Sequence, residues 1–302
     1  METENKVRYS IIIPTVGAAD NLEQCLTALR NQGLDPSRFE VIVVRDGGPG
    51  ESVPASPGEP KIPAIFLGQD HKGPAAARNL GIKNARGDII LFLDDDSVPT
   101  KTWVQATLEA WISYPESAGI GGYTLSEGTD SFCCRVNSDL FNWYLGRHSF
   151  DDHATFLSTC NAGYRKGILD GVGRFDERFK KASGEDRDLS LRILKTGGKL
   201  RLDKNILIYH DRDLTFGSFF RKHYNYGAAA FELSLIHRRL ERLSLKDYAL
   251  FYTSILKKYA KTGQKGLIFL LLTVSQLATF LGYQAAKFFR RKPPAKNRPG
   301  TS

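Results

Sequence analysis

Along the first hundred residues the hydrophobic positions fall into short unbroken runs, separated by polar stretches with a wider, helix-like spacing. Tyr9–Ile13 (YSIII), Glu40–Val44 (EVIVV), Ala64–Leu67 (AIFL) and Ile89–Leu93 (IILFL) are the runs. Runs this short, bounded by Pro, Gly and Asp, predict strands buried on both faces, as in a parallel sheet; Pro14-Thr15 is expected to end the first. Between them, Asp20 or Asn21 caps a helix carrying Leu22, Cys25, Leu26 and Leu29, with Gly33 just past its end. Gly73–Ala85 (GPAAARNLGIKNA) has helical composition, with Pro74 in the first turn, where proline is tolerated. Pro49–Pro63, rich in Pro, Gly and Ser, reads as a loop. Strands alternating with helices over short links predict an α/β fold, a mostly parallel, doubly wound sheet with helices on both faces.

Beyond Pro99 the pattern loosens. Trp103–Ser113 predicts a helix, Gly119–Tyr123 a strand, Thr155–Tyr164 strand and turn, Asp186–Lys195 a helix stopped by Gly197-Gly198, and Ile206–Tyr209 a last strand. Leu125–Thr155 has aromatics, the paired Cys133 and Cys134 and no clean period, and yields no element. Leu214–Leu243 is aromatic, basic and helical in pattern. Leu267–Ala286 then gives twenty residues without a formal charge, flanked on both sides by Lys and Arg. That length spans a hydrocarbon core. Ser275, Gln276, Tyr283 and Gln284 dilute it, so an in-plane amphipathic helix and a buried core helix stand beside the spanning one. Pro293–Ser302 reads as disordered.

A chain of 302 residues can bury one large core or two modest ones. Its net charge of +9 is unevenly placed: from Lys246 onward lie eleven of the 42 basic residues but one of the 33 acidic ones, leaving the rest at −1. A near-neutral body with a cationic end points to an anionic surface, here a membrane, touched by that end alone, and no nucleic-acid partner is expected. Four cysteines without C-x-x-C or zinc spacing fit inert thiols in a reducing compartment. The polar start METENKVRYS carries no secretory signal, and oligomeric state is not legible.

The fourth run ends in three aspartates, Asp94, Asp95 and Asp96 (GDIILFLDDDSVP). Open α/β sheets hold ligands at the C-terminal ends of their strands. Adjacent carboxylates repel, and burying them needs a cation or donors. Oxygen ligands of this kind suit Mg²⁺ or Mn²⁺, which can carry a diphosphate. A plain strand-to-helix loop capped by Asp96 or Ser97 would need one such residue, not three.

With SIIIPT at the first strand, VIVVRDGG at the second, AAARNLGI, FLDDD, NAGYRKGIL–GRFDERF and GEDRDLSLRILKTGG in this order, the chain resembles the inverting family 2 glycosyltransferases of GT-A fold over Ser10–Gly227. The resemblance implies a GT-A catalytic domain over residues 1–212, with a nucleotide-binding half to about 100 and an acceptor half from about 101 to 212. Residues 213–302 form a helical, membrane-associated region. It places Pro14, Thr15, Asp46, Arg78, Asp94 and Asp95 around the nucleotide-sugar, Asp46 at the base and Arg78 at the diphosphate or ribose. Arg45 precedes Asp46 where many members have a second acidic residue, which blurs the identity of the base; a uracil N3–H would suit the carboxylate and hence a UDP-sugar. Asp96, with Asp94 and with His210 after the last strand, is implied to bind Mn²⁺ or Mg²⁺. Asp186 matches the base that takes the acceptor proton, with Glu185 orienting it or the acceptor. Each has a plainer reading: an Asp-Gly turn for Asp46, a solvated helix face for Arg78, a surface histidine for His210, helix capping for Glu185 and Asp186. HYNYG stands where processive members carry Q-x-x-R-W, so transfer of one or a few sugars is expected, to a lipid-linked or membrane-proximal glycan at the cytoplasmic face of the membrane.

Two other classes compete. LFLDDDSV satisfies the D-x-D-x-[TV] motif of haloacid-dehalogenase-type phosphohydrolases, with Asp94 as nucleophile, but three strands precede it and no downstream lysine with paired acidic residues completes that site. A membrane-tethered protein that binds sugar nucleotides without catalysis would not need Asp186.

Overall fold

The computed structural model describes residues 9–17, 19–33, 35, 37–48, 64–126, 131–147, 149–150, 153–180, 183–210, 214–237, 244–260 and 263–290. The loop expected over Pro49–Pro63 and the tail Pro293–Ser302 lie outside these residues. The chain divides into two compact units, Met1–Asp213 and Leu214–Ser302.

In the first unit the apolar runs are the strands β1 (Tyr9–Thr15), β2 (Phe39–Asp46), β3 (Ala64–Gln69) and β4 (Ile89–Leu93). They pair in parallel in the order β3-β2-β1-β4. The first strand does not stop at Pro14. Pairing with β4 ends at Ile12, so Pro14 and Thr15 continue beside β2 alone. The remaining strands are the two-residue β5 (Val98–Pro99), β6 (Gly119–Leu125), the short β7 (Ser149–Phe150) and β8 (His153–Ala154), then β9 (Asn161–Arg165) and β10 (Leu200–Tyr209). Beyond β4 the sheet runs β9-β6-β10-β8-β7; β9 is antiparallel to β4 and β6, and β6 is parallel to β10.

The unbroken apolar runs serve two cores because successive strand residues face opposite sides. Ile11, Ile13, Val41, Val43, Leu91 and Leu93 pack with Leu22, Cys25 and Leu29 of α1 (Ala19–Arg30) and Trp103 and Trp111 of α3 (Trp103–Ser113). Ile12, Ile42, Val44, Ile90 and Phe92 pack with Ala75, Ala77 and Ile82 of α2 (Pro74–Asn84) and Leu189 and Ile193 of α6 (Glu185–Lys195). Helices therefore cover both faces of a mainly parallel sheet. Leu125–Thr155, unreadable as pattern, holds α4 (Phe132–Arg147), and α5 (Lys166–Gly171) follows β9. The second unit holds α7 (Phe216–Ile236), α8 (Leu245–Lys258), opened by a reciprocal Ser244–Asp247 cap, and α9 (Lys265–Arg290), which contains the apolar run.

Candidate active site

The three aspartates leave β4 in a turn, with the Ser97 N–H donating to the Asp94 carbonyl at 3.0 Å. Val98 and Pro99 then pair antiparallel with Tyr209 and Ile208, the last residues of β10. That short ladder sets His210 beside the aspartates although more than a hundred residues separate them. His210 Nε2 lies 3.2 Å from Asp96 Oδ1 and 3.8 Å from Asp94 Oδ2. One ligand atom from each of Asp94, Asp96 and His210 fits within 4.8 Å of the others, all three side chains half-buried. Two carboxylates and an imidazole at this spacing suit a hard to borderline divalent ion, Mn²⁺ or Mg²⁺.

Asp95 points elsewhere, and it does so from the turn, because the strand ends at Leu93. It accepts a 2.6 Å hydrogen bond from the Thr15 hydroxyl. Burial pushes its carboxyl up to about 6, the Thr15 bond opposes that, and Asp96 and Asp94 add to the rise. Thr15 and Asp95 thus tie the ends of β1 and β4 together.

Arg78 stands on α2 and is 2% exposed. Its Nη2 donates to Asp94 Oδ1 at 2.7 Å and its Nη1 to Glu185 Oε1 at 2.9 Å. The Phe175 ring lies under the guanidinium, 5.7 Å from centroid to Cζ. Burial works against the charge of Arg78, but Asp94, Glu185 and Asp186 outweigh it and hold the group firmly protonated. One planar cation therefore joins the aspartate turn to the start of α6, a bidentate role a lysine could not fill. The solvated helix face is ruled out by this burial.

Asp46 works behind Arg78. Its Oδ1 accepts from Gln69 Nε2 and the Lys72 N–H, its Oδ2 from the Gly73 N–H, and His71 Nδ1 lies 3.1 Å from Oδ2. Burial would raise its pKa, yet the bonds from Gln69, Lys72 and Gly73 prevail and hold it below the usual carboxylate range. Gly73 precedes α2 at φ 97°, a conformation that favours glycine, and its Cα faces the Lys180 backbone so closely that a Cβ would lie 2.6 Å from the carbonyl oxygen. Asp46 thereby anchors the N-terminal end of the helix that delivers Arg78.

At the start of α6, Glu185 is buried and accepts from Arg78 and from the Ser183 N–H at 2.8 Å. Asp186 beside it is half-buried, its Oδ1 accepting the Arg187 N–H at 2.7 Å. Burial, then the neighbouring Glu185, drive its carboxyl up to about 7, with Arg78 pulling the other way. A carboxylate poised near neutrality is what a general base needs. Asn161, given no role by the sequence reading, fixes the ladder that carries His210. Its Nδ2 donates to the Tyr123 and Ile206 carbonyls, each at 3.0 Å, and its Oδ1 accepts from Trp103 Nε1 at 2.8 Å. It bridges β6 and β10 where their register slips between Leu202 and Leu207.

The sequence model of glycosyl transferase family 2 matches residues 10–173. The chain belongs to this family. It is 27% identical to glycosyltransferase AglE of Haloferax volcanii over 252 residues, covering 78% of this chain and 76% of that protein. It is 29% identical to the pre-mycofactocin glycosyltransferase of Mycobacterium tuberculosis over 236 residues, 76% of this chain but 48% of that longer protein. The fold matches the mannosyltransferase PcManGT of Pyrobaculum calidifontis, solved with GDP-Man and Mn²⁺, at a TM-score of 0.63 and 16% identity, over 94% of this chain and 86% of that one. The chain is thus a GT-A-type enzyme of nucleotide-sugar transfer. A phosphohydrolase built on Asp94 finds no support: the aspartate follows the fourth strand, and Arg78 engages its carboxylate.

Proposed function

We propose that the protein is a metal-dependent, inverting glycosyltransferase that moves one sugar from a UDP-sugar to a hydroxyl of a lipid-linked or membrane-proximal glycan at the cytoplasmic face of a membrane. The observation that carries the reading is the continuous chain His210–Asp96/Asp94–Arg78–Glu185, with Asp186 adjoining. It links a cation site to a carboxylate with raised pKa inside one sheet edge.

Asp94, Asp96 and His210 would hold Mn²⁺ or Mg²⁺, which when bound supplies Lewis-acid neutralisation of the departing nucleoside diphosphate. Thr15 and Asp95, with Pro14 before them, shape the floor of the nucleotide subsite. Asp46 holds the Gln69–Gly73 segment beside it. Its contact with His71 is the one made by a largely exposed side chain, 72% exposed, so a uracil N3–H can take that place without unpairing a buried group. Asp186 accepts the proton of the acceptor hydroxyl as that oxygen attacks the anomeric carbon from the face opposite the diphosphate, which inverts the configuration. The charge of Glu185, next to the base, raises its proton affinity, and Arg78 offsets part of that rise.

The test is a donor panel with the full-length chain and a lipid-linked acceptor mixture, reading the anomeric configuration of the product. Transfer with inversion, abolished by Asp186→Asn and by chelation, is the expected result. A product retaining the donor's configuration, or unchanged transfer by Asp186→Asn, contradicts it.

A further inference from the structure

The C-terminal unit bears on how such an enzyme meets a membrane. α9 is long and apolar enough to cross a bilayer, containing an 18-residue window of mean hydropathy 1.7. It does not stand alone, however. A Cβ on Gly227 of α7 would lie 1.8 Å from the Thr279 carbonyl oxygen, and one on Gly282 of α9 would lie 1.9 Å from the Tyr224 carbonyl oxygen. The two backbones therefore touch, and the order of these contacts makes the helices antiparallel. The Phe231 and Tyr283 rings meet at 5.4 Å across the same seam. On its other flank α9 meets α8 through Tyr252, whose ring is tilted against Phe269 with centroids 5.4 Å apart and whose hydroxyl bonds Thr273.

This packing decides between the placements open to α9. Five residues beyond Gly227, about 7.5 Å along α7, lies the exposed carboxylate of Glu232. On the antiparallel partner that is the level of residue 274, within three residues of Gln276-Leu277, the middle of the uncharged run. Were α9 to span the bilayer, α7 would carry Glu232 to the hydrocarbon midplane, among the costliest places for a carboxylate. Burial of α9 as an ordinary core helix fails as well. Phe269, Leu270, Leu277, Phe280, Leu281 and Phe288 are all exposed along one side. On that side the Thr273 hydroxyl is bonded to the Phe269 carbonyl at 2.9 Å, and the exposed Gln284 is a polar interruption toward the C-terminal end. The exposed Lys257, Lys258 and Lys265 lie before this stripe, and Lys287 and Arg290 near its end.

We infer that α7, α8 and α9 form a monotopic anchor. The exposed stripe of α9 lies in the plane of one leaflet, and the lysines at its ends rest on anionic lipid headgroups. The partner is a lipid surface because an apolar strip ending in cations matches acyl chains bordered by phosphates. The inference rests on the membrane reading above and adds that both ends of α9 stay on one side.

Cells producing the full chain provide the test, with Gly266→Cys and Phe289→Cys as single variants; the four native cysteines are buried and stay silent. A membrane-impermeant maleimide applied to sealed membranes of known orientation should label both positions from the same side, and alkaline carbonate should extract the protein. Purified chain should bind vesicles containing phosphatidylglycerol and not pure phosphatidylcholine. A Leu277→Gln/Phe280→Gln variant should bind about tenfold or more weakly while keeping its nucleotide affinity. Labelling from opposite sides with resistance to carbonate would overturn the in-plane placement and leave membrane attachment standing. A chain that stays soluble and ignores both vesicles would overturn attachment and this inference together. A dimer broken by the same double variant, without vesicle binding, would assign the stripe to a second copy and overturn it too.

Discussion

At the residue scale the site depends on how one buried cation is shared among carboxylates. Arg78 compensates Glu185, which is almost fully buried, and Asp94 at once. Removing one partner of a buried pair typically costs about 3–5 kcal/mol, because the other charge is left uncompensated. Arg78→Leu should therefore lower the midpoint of chemical denaturation, and it should also move the pH profile. As the proposed base, Asp186 must be ionised to accept a proton, and burial with Glu185 beside it pushes its carboxyl up to about 7. Activity should accordingly rise with pH through about 7 and fall below it as the base becomes protonated. Arg78 pulls that pKa down, so the surviving activity of Arg78→Leu should rise at higher pH than in the wild type. A profile unmoved by the substitution would separate Arg78 from the base. Asp186→Asn keeps the shape without the proton acceptor and should lose about 10²–10⁴-fold in kcat, read with saturating donor.

At the scale of elements, the strands that build the donor side were legible because burial on both faces leaves nothing polar in Ile11–Ile13, Val41–Val44 or Ile89–Leu93. The D-x-D turn was legible for a related reason: three acidic residues at the end of such a strand have no packing use. Where buried faces carry polar groups the pattern failed. α4 buries Asn137 and Ser138 alongside Cys133, Cys134 and Val136, which erases its hydrophobic period. β5, β7 and β8 are too short to have one, and Asp203 and Lys204 hid the first half of β10. The histidine was found, but the reason it reaches Asp96 was not: the β5–β10 pairing is long-range and leaves no local trace. Asn161 belongs with these. Asn161→Ala would remove the bonds to the Tyr123 and Ile206 carbonyls and from the Trp103 indole N–H, at about 1–3 kcal/mol for each buried group left unsatisfied. It should lower the melting temperature and weaken Mn²⁺ affinity through a displaced β10 end, although Asn161 touches no metal ligand. Unchanged metal affinity in a destabilised variant would confine the residue to stability.

At the scale of the whole molecule, charge and hydrophobicity are segregated between two units. The first is an enzyme core of slightly negative charge, with 26 basic and 30 acidic residues; the second, with 16 basic residues against three acidic ones, carries the positive excess and the exposed apolar side of α9. Membrane attachment should therefore weaken as salt screens the basic residues, since the Debye length falls from about 10 Å at 0.1 M to 3 Å at 1 M. Sedimentation with anionic vesicles across that range tests this; binding indifferent to salt would assign attachment to the apolar stripe alone. The catalytic core should not share the dependence, because its proposed cation site is built from half-buried side chains held by Arg78 and the β5–β10 pairing.

The central claim, a cation site for a nucleotide donor at Asp94, Asp96 and His210, is tested most directly by calorimetry. UDP, GDP and dTDP would each be titrated into the wild type and Asp96→Ala, once with Mn²⁺ and once with EDTA. The account predicts binding of UDP that requires Mn²⁺ and disappears in Asp96→Ala. Binding of no nucleotide under any condition, or binding indifferent to both the metal and the substitution, would contradict it.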